Sequence, residues 1–305
     1  MSHVLVVGSS NTDLVMNTPR LPSPGETLLG ATFFSVQGGK GANQAVAAAR
    51  AGAKTTFIAR MGNDDFGQHA LLSLQKENIH TDHVLLDPDL PSGVAFILVD
   101  NKGENSIIVA SGANAALSPI QLETAKSVFE HADICLLQLE TPIDTVLYAT
   151  QLASQCHTPV ILNPAPATQL PNEIWPHLFL ITPNETETEM LTGISPNTDQ
   201  NAQNAAQILL DRGVQNVIIT LGARGALLVT PTQTHHIAAP FVTPIDTTAA
   251  GDAFNGALAY ALSNGQSLAE ATHFACVAGA LTVTQAGAQP AIPTASQIWQ
   301  LLKNQ

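Results

Sequence analysis

Lysine and arginine are scarce in this chain. There are 11 of them among 305 residues, against 24 aspartates and glutamates, for a formal net charge of −13. Such an excess repels phosphodiester backbones and anionic headgroups, so neither nucleic acid nor an anionic membrane surface is expected as the main partner. Cysteine is also rare: Cys135, Cys156 and Cys276 are odd in number and show no CxxC spacing. They imply neither a disulfide framework nor a zinc site. No apolar stretch approaches a membrane span. The opening "MSHVLVVGSS" has no basic region before its short apolar run and no signal-cleavage pattern, which makes a cytoplasmic location the expectation. Charged residues make up only 11% and hydrophobic residues 45%, the balance of a globular protein. The length fits one large α/β domain or two ordinary ones.

What is present is alternation. "HVLVVGS" (3–9), "TTFIARM" (55–61), "DICLLQL" (133–139), "PVILN" (159–163), "LFLIT" (178–182) and "NVIIT" (216–220) are short and nearly all apolar, as strands buried on both faces of a parallel sheet are. Between them lie the helical patterns "ANQAVAAARAG", "PIQLETAKSVFEHA", "PIDTVLYATQLASQ" and "AQNAAQILLDRG". This rhythm predicts an α/β fold, a mainly parallel sheet flanked by helices. Two stretches break it. Residues 13–36 and 93–110 alternate apolar and polar residues and contain turn signals, so they are expected to form a small separate β-sheet inserted in the core of a single 1–305 domain, with a hairpin at "DNKGEN".

Familiar phosphate-binding signatures are missing. After the first strand, Ser10 and Asp13 stand where GxGxxG requires glycine, and "FSVQGGKGAN" fails the Walker A pattern because Phe34 holds its first glycine position and Gly41 follows Lys40. Any nucleotide must be held in another way. Four segments offer chemistry, each with a plain structural alternative. In "QGGKGANQAVAAARAG", Gly38 and Gly39 either make an ordinary strand–helix turn with an exposed Lys40 or let the backbone lie against a polyol, with Asn43 as donor and acceptor. In "SSNTD", Asn11 and Asp13 form an Asx turn, or Asp13 accepts from two neighbouring hydroxyls at a strand's carboxyl end. In "TPNETETE", Asn184 and Glu187 form a capping box, and the same residues can hold a hydrated Mg²⁺ through its waters. In "TTAAGDAFNGAL", Asp252 complements a helix dipole, or else the amides of Ala250, Gly251 and Asp252 form an anion hole and Asp252 is a general base. "TLGARGALLV" adds a strand, a glycine turn and one of the rare arginines. His80, His83, His235 and His236 have no partners at metal-ligand spacing and are expected on the surface or at sheet edges.

Taken together, "GSSNTD", "PGET", "GGKGANQAVAAARAG", "GANAALS", "QLE", "LNPAPA", "ITPNETE", "TLGARG", "DTTAAGDAFNGAL" and "GAQPAIP" resemble, in order and over nearly the whole chain, the ribokinase family of carbohydrate kinases. That resemblance implies ATP-dependent phosphorylation of the 5-hydroxyl of D-ribose with Mg²⁺, activation by K⁺, a Rossmann-like form of the α/β fold, a small β lid over the sugar, and a homodimer clasped through the lids. It assigns Asn11, Asp13, Gly39, Lys40, Asn43 and Glu140 to the sugar, with Asp252 as base. It assigns Asn184, Thr220, Gly222, Arg224, Gly225, Gly251 and Cys276 to the nucleotide, and Glu187 to the organisation of magnesium. Asp246, Thr248, Thr282, Gln285, Gly287 and Ala291 match its monovalent-cation site. Ala291 stands where the family typically has a serine beside potassium, and Cys276 where other polar residues are common near the base. A kinase for 2-deoxyribose or another pentose or ketose is the nearest alternative. A catalytically silent sugar or nucleotide sensor is a further one, opposed by the intact Asp252, glycine loop and NxxE motif.

Overall fold

The computed structural model describes residues 2–101 and 105–304. In chain order its strands are β1 (His3–Val7), β2 (Asn11–Asn17), β3 (Thr32–Gly38), β4 (Lys54–Gly62), β5 (His80–Asp87), β6 (Gly93–Val99), β7 (Asn105–Ala110), β8 (Ile134–Leu137), β9 (Val160–Leu162), β10 (Leu180–Ile181), β11 (Asn216–Thr220), β12 (Ala226–Val229) and β13 (Thr234–Ile237). The helices are α1 (Lys40–Ala51), α2 (Asp65–Lys76), α3 (Pro119–Thr124), α4 (Lys126–His131), α5 (Ile143–Gln155), α6 (Glu185–Thr192), α7 (Asp199–Asp211), α8 (Ala250–Ser263), α9 (Leu268–Thr282) and α10 (Ala295–Lys303).

All six apolar runs become neighbouring strands of one sheet, ordered β13-β12-β11-β10-β9-β8-β1-β4-β5. It is parallel from β11 to β5, while β12 and β13 add antiparallel at one edge. Both faces are covered, as the continuous apolar runs demand. Val4 and Val6 point to a layer shared with α1, α8 and α9, while Leu5 and Val7 point to one shared with α5 and α7. The chain lays β4 and β5 on one side of β1 and later β8 to β11 on the other. The strand order therefore reverses between β1 and β8, and ligands of open α/β sheets bind beyond the carboxyl ends at such a point. His80 and His83 lie on the edge strand β5, and His235 and His236 on the opposite edge, β13.

The two rhythm-breaking stretches supply a second, four-stranded sheet, ordered β3-β2-β6-β7. Its β6–β7 pair is antiparallel, as the hairpin reading requires; the turn itself falls on residues 102–104, outside the described residues. The strand β2 begins at Asn11, so Asn11 and Asp13 sit in a ladder rather than in an Asx turn. One helix is broken relative to its pattern: "PIQLETAKSVFEHA" forms α3 and α4 with Ala125 between them. There the Ala125 amide bonds to Leu122 and the Thr124 hydroxyl to the Gln121 carbonyl, both three residues back, which tightens the turn out of α geometry.

The helices α1 and α8 meet at Gly256. A Cβ there would lie 2.4 Å from the Ala47 Cβ and 2.5 Å from the Gln44 carbonyl oxygen, and backbone cannot yield as a flexible side chain would. This contact brings the faces carrying Asn43, Gln44 and Asp252 together. Gly256→Ala is therefore expected to destabilise by about 1–3 kcal/mol through overpacking, seen as a fall of several degrees in Tm, with turnover falling in the folded protein. An unchanged Tm by calorimetry would show that the interface is looser than its geometry indicates.

Candidate active site

Glycine opens the site by admitting the chain's own groups. At Gly38 a Cβ would meet an Asp13 carboxylate oxygen at 2.3 Å; at Gly39, with φ of 87°, it would meet the Asn11 amide nitrogen at 2.6 Å. The loop thus lies against β2 and delivers Lys40 at the start of α1. Lys40 is half-buried rather than exposed. Its amide donates to Glu140 Oε2 at 3.0 Å, and the Ser9 hydroxyl donates to the same oxygen at 2.5 Å. Asn114 accepts from the Ser10 amide and donates to Asn11 Oδ1 at 2.8 Å, which fixes that side chain. A cavity of about 320 Å³ lies over Asn11, Asn114 and Glu140.

Asp252 lies in the first turn of α8 and is only 6% exposed. Asn43 Nδ2 donates to its Oδ2 at 2.9 Å, and Gln44 Nε2 to its Oδ1 at 3.0 Å. Burial pushes its carboxyl above the ordinary range, opposed by Lys40 and by the two amide donors. Asp13 is pushed up to about 7 by burial and then by the negative charges of Glu140 and Asp252. Burial also pulls Lys40 down, but Asp252, Glu140, Glu187 and Asp13 outweigh it and raise the ammonium above its usual value. Four carboxylates thus surround one cation. The Asn43 Oδ1 is buried without a hydrogen-bond partner, the state of an acceptor awaiting a ligand hydroxyl.

A larger cavity, about 590 Å³, adjoins the N-terminus of α8. Asn184, Thr220, Gly222, Gly225, Gly251 and Cys276 are among the residues that line it. Arg224 does not: its guanidinium donates to Glu185 at 2.7 Å and to the Pro196 carbonyl at 2.8 Å. The segment from Ala239 to Pro244 also lines the cavity, with Phe241 fully exposed. Its sequence, "APFVTP", carries no motif that could have announced it. A Cβ on Gly251 would meet nothing within 4 Å, so open space faces the backbone there. Ala249, two residues before it, adopts a left-handed φ of 59°, a strained state for a residue with a side chain; Ala250 and Gly251 border the cavity at the start of α8, and the Ala250 amide donates to the Thr247 carbonyl at 3.3 Å.

Two ion sites can be tested against the residues present. Asn184 and Glu187 do form the capping box. Each Glu187 oxygen accepts one N–H from Asn184 and keeps lone pairs for more, which suits a water on a hard dication. Among the described residues no three His, Cys, Asp or Glu side chains group as a metal site, so Glu187 fits the hydration shell rather than a protein cage. The Asp246 carboxylate joins two loops, accepting from the Thr248 amide and hydroxyl and from the Gly287 amide at 2.8 Å. Burial works against its charge, but the Thr248 hydroxyl and the Gly287 and Thr248 amides hold it below the usual carboxylate value. These hard oxygens fit a monovalent cation. The Thr282 hydroxyl bonds to the Ala278 carbonyl and the Gln285 amide to the Thr282 carbonyl, while Ala291 is buried. Arg50 donates to the carbonyls of Gln289 and Ile292, both at 2.7 Å, which places a fixed positive charge beside them.

A model of the pfkB family carbohydrate kinases matches residues 1–295. The chain belongs to this family. Within the pfkB family, it is 43% identical over 299 residues to the ribokinase of Haemophilus influenzae, covering 98% of each chain. It is 37% identical to the deoxyribokinase of Salmonella typhi, again over 98% of both. The Arabidopsis thaliana ribokinase, solved in complex with ribose and ATP, superposes with a TM-score of 0.94 at 34% identity over 99% of each chain. The chain is thus a pfkB-type sugar kinase. No helix among the described residues is long and apolar enough to cross a membrane.

The open space at Gly251 separates folding from function. Gly251→Ala adds a methyl group on the cavity side of a helical position, where alanine favours the helix by about 0.8–1 kcal/mol over glycine. Tm should hold or rise while turnover falls at least about tenfold. Unchanged turnover in a normally folded variant would mean that nothing approaches this backbone.

Proposed function

We propose that the chain transfers the γ-phosphoryl group of ATP to the 5-hydroxyl of D-ribose, giving ribose 5-phosphate and ADP. The observation that carries this reading is the position of Asp252. It follows Gly251 of the larger cavity, and its charge couples to that of Glu140 in the smaller one. Ribose binds under the lid where the smaller cavity, bordered by Asn11 and Glu140, meets Asp13, Gly39, Lys40 and Asn43 beside Asp252. Asp252 accepts the O5 proton as O5 attacks the γ-phosphorus. The bond from that phosphorus to the bridging oxygen breaks, and the amides of Gly251 and Asp252 stabilise the charge on the transferring group, that of Ala250 being engaged by the Thr247 carbonyl. Lys40, held cationic by its four acidic neighbours, supplies the positive charge that a chain of net −13 otherwise lacks. Asn184, Thr220, Gly222, Gly225 and Cys276 bound the nucleotide, with Arg224 behind them buttressing the turn through Glu185. Bound Mg²⁺ would neutralise phosphate charge, with Glu187 orienting its waters. K⁺ would order the loop before α8 through Asp246 and Thr248, with Thr282, Gln285, Gly287 and Ala291 around it.

The same reading makes the chain one kinase unit and a homodimer. Phe33, Phe96 and Ile108 share one face of the lid sheet and are all exposed, an apolar surface suited to a second copy. A cytoplasmic location is supported by three free cysteines. The similarity to a deoxyribokinase supports 2-deoxyribose as the second substrate to test.

A coupled assay for ADP release across pentoses, ketoses and nucleosides is expected to favour ribose. Asp252→Asn should lose about 10²–10⁴-fold in kcat while still binding sugar. A better rate with another acceptor would replace the substrate, and parental turnover in the variant would remove the base.

The acidity of Asp13 has its own consequence. A carboxylate accepting from two hydroxyls must be ionised, and this one is half-protonated near pH 7. Sugar affinity should therefore be full above that pH and fall as pH drops through it, by about tenfold at pH 6, because protonation and sugar compete. Calorimetric titration with ribose from pH 5.5 to 8.5 reads this directly. In Asp13→Asn the profile should be weak and flat; an unchanged slope there would assign the titration to another group.

A further inference from the structure

Gln44 has no place in the site as assigned from sequence, yet it touches Asp252 directly. It is fully buried on α1, one residue after Asn43. Its Nε2 donates to Asp252 Oδ1 and to Asn163 Oδ1, both at 3.0 Å, and its Oε1 accepts from Gln138 Nε2 at 2.6 Å. The partners dictate this orientation. A flipped amide would set its oxygen against a carboxylate and leave the Gln138 nitrogen without an acceptor. Gln138 packs closely against Gly8, its Oε1 lying 2.1 Å from where a Cβ there would be, and its one side-chain hydrogen bond is the donation to Gln44.

A branch of the same network reaches the first turn of α8. Asn163 Nδ2 donates to the Thr182 carbonyl at 3.4 Å, the Thr182 hydroxyl to Asn255 Oδ1 at 2.6 Å, and Asn255 Nδ2 to the Gly251 carbonyl at 2.8 Å. The Gly251 carbonyl and the Asp252 N–H share one peptide plane and point in opposite directions. Within α8 that carbonyl points toward the C-terminus and the amide toward the N-terminus, and the Asn255 bond reinforces this orientation of the first turn.

We propose that Gln44 is a positioning residue for phosphoryl transfer, pinning the Asp252 carboxylate in its reactive orientation and tying it to the backbone amides that meet the phosphoryl group. The inference rests on Asp252 being the base. Asn43 and Gln44 divide the work: Asn43 has an unpartnered oxygen to offer a sugar, whereas Gln44, bonded on both sides, stays with the carboxylate. The charged groups around Asp252 are Lys40 from α1, Glu140 beyond β8, Asp13 from β2 and Glu187 from α6. Only Lys40 favours ionised Asp252 among them, so each amide donor matters.

Gln44→Met keeps the length of the side chain and removes its donors. Ribose affinity by calorimetry should stay within about threefold, while kcat falls by on the order of 10²-fold through misplacement of the base. The acid limb of the kcat–pH profile should move to higher pH, because the base is protonated more readily without its donor. Added to Asp252→Asn, the substitution should cost nothing further. A loss equal at every pH, or additive with Asp252→Asn, would overturn the proposal in favour of a packing role. If Gln44→Met does not fold, Gln138→Met breaks only the outer link and should move the limb in the same direction by less; no movement there would also overturn it. Parental turnover in Asp252→Asn alone would remove the base, and this inference with it, a result distinct from failure at Gln44.

Discussion

Burying the Asp252 carboxylate costs solvation, and the molecule offsets that cost with separate groups on separate segments. The cation of Lys40, the amides of Asn43 and Gln44 and the start of α8 all act on one side chain. Lys40, Asn43 and Gln44 would not reach it unless α1 and α8 lay in near backbone contact, which the bare Cα of Gly256 permits. The close approach of two helices is therefore the constraint on which the rest of the site depends. Loosening it would separate the base from its donors while most of the hydrophobic core stayed in place.

The sheet decides where those helices begin. Reversal of strand order between β1 and β8 opens a crevice at their carboxyl ends, and the segments leaving it carry Ser9 to Asp13 on one side and Gln138 to Glu140 on the other. The lid grows from the same crevice, since β2 starts four residues after β1 ends. Its first strand supplies Asn11 and Asp13 to the space that it covers. One short connection thus serves as lid stem and ligand wall.

Charge explains much of the remaining economy. A chain of net −13 gains nothing from its global field when its substrate is a polyanion. Its means are local: a helix start bordering the larger cavity, one lysine ringed by acids, and a carboxylate at Asp246 that joins two loops. Burial, with Glu140 and Asp252 that also help keep Lys40 charged, raises Asp13 to about 7, so Asp13, Lys40 and Asp252 share one electrostatic balance.

Local chemistry made the alternating architecture, the lid strands, the capping box at Asn184 and the glycine-rich approach to α1 legible in sequence, because period, turn residues and caps act over a few neighbours. Asp13, Glu140 and Asp252 were legible through the motifs around them. Gln44, Asn163, Gln138 and Asn255 were not: buried amides are chemically ordinary, and each takes its role only from partners as many as 208 positions away. The cavity wall from Ala239 to Pro244 is silent for the same reason. Arg224 shows the converse, a rare cation in a suggestive motif whose fork is engaged by Glu185 across 39 positions. The sequence by itself determined which segments become strands and helices and which residue types stand at their ends. Only the tertiary structure decided which of those ends meet, because hydrogen bonds and charges act through distances that folding alone sets.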